Sequence, residues 1–333
     1  MKAAQIEKYS KDINVSINEI AIPEPKDNEV LIKVKAAAVN PVDILIITGS
    51  IRLIQDYSMP LTLGNECSGI VEKVGNKVKD FRIGDKVYTR LPINKIGAFA
   101  EYVTVAHDAV APMPAGYEFI PAAAIPLTGL TAYQGITEEL GAQSGDTLLI
   151  TGGSGSFGQI AVPIAKAMGL HVIVTGNARA QERFNEMGVD QYINYRKENY
   201  WEILSQIDYV IDTLGAAEFK HELSVLRKGG TLLSLRIGPN RIFAQKNGFS
   251  WLKQFLFSLA GSKYDRAAHK QDKQYRFMFV HSDGAQLREI TKIVEKYHIV
   301  PDVDSRIFSL SQINDALKLV AHGTLNGKVI IQF

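Results

Sequence analysis

The run Gly152-Gly153-Ser154-Gly155-Ser156-Phe157-Gly158 places Gly153, Gly155 and Gly158 in a G-x-G-x-x-G spacing. An apolar run, Thr147-Leu148-Leu149-Ile150-Thr151, precedes it, and a helical pattern from Gln159 to Met168, closed by Gly169, follows. Such a spacing in isolation is weak, but strand–turn–helix context gives it a mechanism. Residues without Cβ allow a tight turn and let pyrophosphate oxygens approach the backbone. Free N–H groups and the dipole at the helix N-terminus then favour the anion. All seven residues, Gly152 to Gly158 with Ser154, Ser156 and Phe157, are candidates for that contact. The end of the next strand decides which nucleotide is preferred. It reads Val174-Thr175-Gly176-Asn177-Ala178-Arg179, without the acid that would bond a ribose 2′-hydroxyl and repel a 2′-phosphate. Thr175 and Asn177 become candidate contacts, and the Arg179 guanidinium suits a phosphate. The residues therefore predict NADPH over NADH.

These groups need a scaffold. From about residue 121, apolar strands alternate with helices. Ala122 to Leu140 reads as a helix, and His171–Thr175, Tyr209–Asp212 and Gly230–Leu235 read as strands. That rhythm predicts βαβ units and a doubly wound parallel sheet. Residues 1–110 carry short β-branched runs bounded by Gly, Pro, Asn and Asp, as in a small β-barrel. The α/β architecture divides into 1–120 with a returning strand-bearing segment 297–333, and 121–296.

Composition narrows the function classes. A net charge of +2 over 333 residues gives no reason to expect nucleic acid. The single cysteine, Cys67, cannot form an internal disulfide or a four-cysteine zinc site. No leader pattern and no long apolar stretch is found, so a cytoplasmic protein without stable membrane insertion is expected. One segment is unusual: residues 249–260 are apolar at helical spacing. Leu252, Phe255, Leu256 and Leu259 share a face, and Lys263, Arg266, His269, Lys270 and Lys273 follow. Core packing or a lid is the expectation, with contact to a membrane surface the alternative.

Several motifs in order resemble the medium-chain dehydrogenase/reductase superfamily along nearly the whole chain. They are Gly64-Asn65-Glu66-Cys67-Ser68-Gly69-Ile70-Val71-Glu72-Lys73-Val74-Gly75, Gly84-Asp85-Lys86-Val87, Gly97-Ala98-Phe99-Ala100-Glu101-Tyr102 and Leu130-Thr131-Ala132-Tyr133. The resemblance implies a GroES-like β-barrel catalytic domain and a Rossmann domain. Zinc-dependent members carry Cys and His where this chain has Asn40 and Asn65. Amides are poor zinc ligands, so no metal is expected. Asn40-Pro41-Val42-Asp43 is instead similar to the loop of zinc-free quinone oxidoreductases and alkenal/enone reductases, which places Asn40 near nicotinamide and substrate. Asp43 reads as a helix cap. Where many relatives carry a tyrosine this chain has Leu45, and Tyr57 is the possible replacement. The resemblance also places Thr131 near the nicotinamide and Tyr195 near the adenosine phosphate. Thr213, Leu214 and Leu235 fall at strand ends lining the cofactor crevice. Lys328 either reaches the cofactor or is a solvated strand charge. The expected chemistry is hydride transfer from NADPH to a quinone or an α,β-unsaturated carbonyl. An enoyl-thioester reductase and a non-catalytic NADPH-binding redox sensor are the alternatives. A homodimer pairing through a sheet edge at Gly230–Leu235 is expected from the family.

Overall fold

Short β-branched runs punctuated by turn residues become antiparallel ladders in the N-terminal part of the chain. The strand Glu29–Val39 is their hub. It pairs with Glu66–Val74, with Tyr102–Ala106 and with the C-terminal Lys328–Gln332. The seven-stranded sheet runs Val303–Ser309, Lys328–Gln332, Glu29–Val39, Glu66–Val74, Lys86–Arg90, Val110–Pro112, with Tyr102–Ala106 added beside Glu29–Val39. A three-stranded sheet is built from Ser16–Glu19, Lys2–Ile6 and Leu61–Thr62. This computed structural model describes residues 1–323, 325 and 327–333.

The second sheet has six parallel strands. Their order is Gln191–Asn194, His171–Gly176, Thr147–Thr151, Ile207–Asp212, Leu226–Ser234, Gln274–Phe277. Central strands are buried along nearly their whole length, as expected when helices cover both faces of a parallel sheet. Leu149, Ile173, Val210, Leu232, Phe219 and Tyr275 form one of the clusters between sheet and helices. Leu226–Ser234 is an interior strand, because Gln274–Phe277 pairs along its far side. The expectation of a free sheet edge at Gly230–Leu235 is therefore wrong. The run Gln274-Tyr275-Arg276-Phe277 was missed because it alternates polar and apolar residues over only four positions.

The chain divides into one unit of Met1–Leu130 with His281–Phe333, and a second of Thr131–Val280. Both boundaries differ from the sequence-based ones. The helix Gly284–Lys296 belongs to the first unit: Tyr88 Oη lies 2.7 Å from Thr291 Oγ1, and Arg288 reaches Asp80 at 3.1 Å. Amphipathic spacing marks a buried face but not the sheet that buries it. The long helix expected over Ala122–Leu140 is broken into Phe119–Ala123 and Pro126–Gln134, the latter continuing as a wide turn to Leu140. Pro126 has no N–H to continue the first piece. Gly141, at φ 61°, ends the second.

Trp251–His269 is a single helix, but most of its apolar residues are not core. Phe257 is buried, whereas Trp251, Leu252, Phe255, Leu256 and Leu259 are exposed. Among the described residues no helix is long and apolar enough to cross a membrane.

Candidate active site

The glycine turn joins Thr147–Thr151 to the helix Ser156–Ala167, which starts three residues before the sequence-based boundary with Gly155 as its N-cap. The glycines have separate physical reasons. Gly152 has φ 63°, and a Cβ there would meet the Leu214 and Thr213 side chains at 2.5 and 2.7 Å. A Cβ on Gly158 would collide with the Gly153 carbonyl, so the helix packs against the turn only because Gly158 has no side chain. Gly155 differs: a Cβ there meets nothing within 4 Å. The protein itself leaves that position open at a helix N-terminus, where first-turn N–H groups have no helical acceptor. Space and donors for a diphosphate coincide, so these residues fit the cofactor the fold implies.

The surrounding contacts hold the turn. Thr175 is buried, and its Oγ1 accepts the Gly152 N–H at 3.0 Å. Ser154 Oγ accepts from Asn177 N and Nδ2 at 3.4 and 3.3 Å. Asn177 Oδ1 caps the following turn through Ala180 N at 3.2 Å. Thr175 and Asn177 thus hold the turn from the end of the neighbouring strand. Arg179 lies exposed just beyond, in the turn Ala178–Ala180. Tyr195 is 55% exposed, with the Arg196 guanidinium 5.9 Å from its ring centre. Tyr192, which sequence reasoning overlooked, donates from its hydroxyl to the Asn177 carbonyl at 2.7 Å.

The neighbouring strand end is fixed by Asp212. Its carboxylate accepts the N–H groups of Leu214 and Gly215, both at 2.7 Å, and the Ser234 hydroxyl at 2.6 Å. Thr213 Oγ1 donates to the Thr151 carbonyl, and Leu235 N–H to the Asp212 carbonyl. Leu214 is left 45% exposed. Below lies Glu222, buried, accepting from Thr151 Oγ1 at 2.6 Å. Burial, and then the nearby Asp212, push its carboxyl up to about 9.

The other unit contains a buried polar cluster. Asn40 caps the helix Pro41–Ile47, and its N–H donates to Asp43 Oδ2 at 2.7 Å, so Asp43 is the expected cap partner. Asp43 Oδ1 accepts from Asn65 Nδ2, also at 2.7 Å. Asn40 Nδ2 donates to the Ala38 carbonyl and to Glu66 Oε1 at 3.1 and 2.8 Å. Lys328 Nζ lies 3.0 Å from Glu66 Oε1 and 3.0 Å from Thr128 Oγ1. Lys328 is therefore neither a solvated charge nor uncommitted. Glu66 Oε2 accepts the Leu127 N–H. Asp43, Glu66, Arg90 and Lys328, all buried, make two acids and two bases. Burial pushes Asp43 up to about 7 despite its two donors.

Arg90 was missed by sequence reasoning, because one arginine at a strand end carries no signal of burial. It pairs with Glu66 in the strand register, and Leu91 N–H bonds the Asn65 carbonyl beside it. Its Nη1 donates to the Leu91 carbonyl, while Nε and Nη2 have no partner among the described residues. Burial pushes its guanidinium down to about 10, still a cation near neutrality. Tyr57 Oη and Asn65 Oδ1 are buried and, among the described residues, unpartnered as well. Burial raises the Tyr57 hydroxyl, with the nearby Arg90 charge opposing, so Tyr57 keeps its proton. Its backbone is held by Tyr9, whose hydroxyl accepts the Tyr57 N–H at 2.8 Å and donates to Asp56 at 2.7 Å. Thr131 begins the second unit, half-buried in the helix Pro126–Gln134.

An antiparallel barrel-like unit joined to a parallel nucleotide-binding sheet is the architecture of a two-domain dehydrogenase or reductase. Profiles of two families agree: an alcohol dehydrogenase GroES-like domain over residues 26–115, and a zinc-binding dehydrogenase over 187–331. The chain is 30% identical to a 2-methylene-furan-3-one reductase from Solanum lycopersicum, over 99% of this chain and 79% of the relative. It is 31% identical to a quinone oxidoreductase from Homo sapiens, over 75% and 78%. A mitochondrial NAD(P)H oxidoreductase from Mus musculus is 30% identical, over 99% and 89%. The structure of a quinone oxidoreductase from Coxiella burnetii superposes with TM-score 0.82 at 26% identity, covering 100% of this chain and 99% of the other. The protein belongs to the medium-chain dehydrogenase/reductase superfamily, in its zinc-free quinone oxidoreductase branch. Its chemistry is NAD(P)H-dependent oxidoreduction. At the positions of the superfamily's zinc ligands, Asn40 and Asn65 bond to Glu66 and Asp43.

Proposed function

We propose that the protein is an NADPH-dependent, zinc-independent reductase of quinones or α,β-unsaturated carbonyl compounds. Relatives named quinone oxidoreductase and furanone reductase support the substrate class. The open position at Gly155 supports a dinucleotide, and the lack of an acid after the second strand with the exposed Arg179 supports the phosphorylated one. When bound, the nicotinamide supplies a hydride to the substrate carbon. The substrate oxygen then gains negative charge and needs donors already in place. Tyr57 Oη with Arg90 Nε and Nη2 is the observation that carries this reading: buried donors without acceptors among the described residues. Such groups are costly to bury unless a ligand completes them. Tyr57, retaining its hydrogen, gives a proton to the nascent enolate or phenolate oxygen and recovers one from solvent. Arg90 stabilises the charge without transferring a proton. Asn40, whose amide hydrogens serve Ala38 and Glu66, acts by holding the Glu66–Lys328 pair in place.

The test is an NADPH-oxidation screen over quinones, alkenals and enones, run beside NADH and with direct binding of each cofactor. Turnover of one of these classes with tighter NADPH binding is expected. Binding of NADPH without turnover across all of them would defeat the reductase reading.

A further inference from the structure

We propose that the outward face of the helix Trp251–His269 is a docking surface for an anionic lipid leaflet. The proposal stands apart from the reductase reading and concerns a different part of the molecule. At about 100° per residue, Leu252, Phe255, Leu256 and Leu259 fall on one stripe of that helix. Lys263, Arg266 and the C-capping Lys270 continue the same stripe. The exposures follow this geometry. Leu252, Phe255 and Leu259 are 51%, 56% and 58% exposed, Trp251 at the helix start is 79% exposed, and the three basic residues are exposed too. Phe257, Gly261 and Ala268 lie on the opposite side and are buried.

The inner side fixes the helix rigidly. Phe257 packs on Phe243 and Phe249, with ring centres 6.0 and 5.5 Å apart. Gly261 lies so close to Asn240 that a Cβ would meet the Asn240 Cβ at 2.5 Å. Asn240 Nδ2 donates to Asp265 at 2.7 Å. The stripe is thus held outward by packing behind it. Scattered exposed apolar residues are ordinary, but five on consecutive turns of one helix form a patch of the kind that marks an interaction site.

Charge selects the occupant. The helix has one acid, Asp265, and it is tied to Asn240. No carboxylate lies on the stripe. A second copy packed face to face would bring further cations against Lys263, Arg266 and Lys270 and no counter-charge. An anionic leaflet supplies both halves of the complement: acyl chains for the apolar turns and phosphate-bearing headgroups for the basic ones. Trp251 suits the boundary between them, with an apolar ring and one N–H donor. At 1.5 Å per residue the apolar turns span roughly 10 Å and the basic ones a similar length, the reach of a helix lying in an interface.

The experiment uses the full chain with vesicles of phosphatidylcholine alone and of phosphatidylcholine mixed equally with phosphatidylglycerol. Flotation and Trp emission are read alongside the molar mass in solution by light scattering. Wild type should float with the mixed vesicles only, shift its Trp emission to the blue, and detach as salt rises. Leu256→Ser with Leu259→Ser should lose flotation. Lys263→Glu with Arg266→Glu should weaken partitioning by about tenfold or more. These side chains are exposed, so thermal melts matching wild type would show that the variants fold. Failure to float with either vesicle overturns the proposal, as does equal flotation with both. Self-association that Leu256→Ser with Leu259→Ser abolishes, without lipid binding, would make the face a contact between copies and also overturn it.

Discussion

Tyr57 and Arg90 carry buried donors left without partners among the described residues of the first unit, and the part proposed for Tyr57 can be tested by itself. Tyr57→Phe removes one hydroxyl and leaves the packing ring. Because general acid catalysis is worth on the order of 10²–10⁴ and solvent replaces part of it, turnover should fall by at least about tenfold. NADPH affinity, measured by fluorescence titration, should stay within about twofold. A loss confined to cofactor binding would remove Tyr57 from proton transfer. Arg179 tests the other unit. It is exposed and lies one turn beyond the second strand, so Arg179→Glu should fold normally. It should weaken NADPH binding by roughly tenfold to a hundredfold while sparing NADH. Equal weakening of both coenzymes would assign the arginine no part in recognising a 2′-phosphate.

At the scale of elements, the glycine turn makes the sharpest contrast. Gly155 has extended backbone angles that any residue adopts, and a Cβ there meets no atom of the described residues within 4 Å. Gly155→Ala should leave the melting temperature within about a degree of wild type, since surface changes away from special features cost little. If the turn holds the diphosphate as proposed, it should still weaken either coenzyme by about tenfold, because the methyl group would take up phosphate space. Gly158→Ala should do the reverse at first sight, lowering the melting temperature by several degrees, since its Cβ collides with the Gly153 carbonyl. Calorimetry on both variants distinguishes a position kept small for the ligand from one kept small for packing. This turn was legible in the sequence because its spacing, strand and helix all lie within about thirty residues. The polar cluster around Arg90 was not. Its members come from positions 40, 43, 65, 66, 90 and 328, and only the register of Glu66–Val74 against Lys86–Arg90, with Lys328–Gln332 beside Glu29–Val39, brings them together. The amphipathic helix was half legible: the shared face of Leu252, Phe255, Leu256 and Leu259 follows from spacing, but its outward direction does not.

For the whole molecule, each unit carries a buried acid whose burial raises its pKa, and the two have the same consequence for stability. Asp43 moves from an ordinary 3.8 up to about 7, and Glu222 from 4.5 up to about 9. In the unfolded chain both lose their protons at the ordinary values. Between the unfolded and folded pKa the native state therefore binds more protons than the unfolded state, and stability falls as pH rises. The stabilisation is complete below about pH 4 and is lost through pH 7 for Asp43 and through pH 9 for Glu222. Other carboxylates act oppositely: Glu29, Asp190 and Asp208 are held below their ordinary values by Lys95, Lys166 and the Thr147 N–H with Arg227, and so favour folding above the acid range. Their contribution is already complete by neutral pH, so the alkaline side of the curve isolates the buried acids. Glu222→Gln keeps the Thr151 contact and needs no ionisation. It should melt several degrees above wild type at pH 8.5, given roughly 2–4 °C per kcal/mol in domains of this size, and match it near pH 5. Asp43→Asn should flatten only the part of the curve below about pH 7. Differential scanning calorimetry from pH 5 to 9 reads both, and a wild-type curve that rises through this range would show that Asp43 and Glu222 ionise freely in the fold.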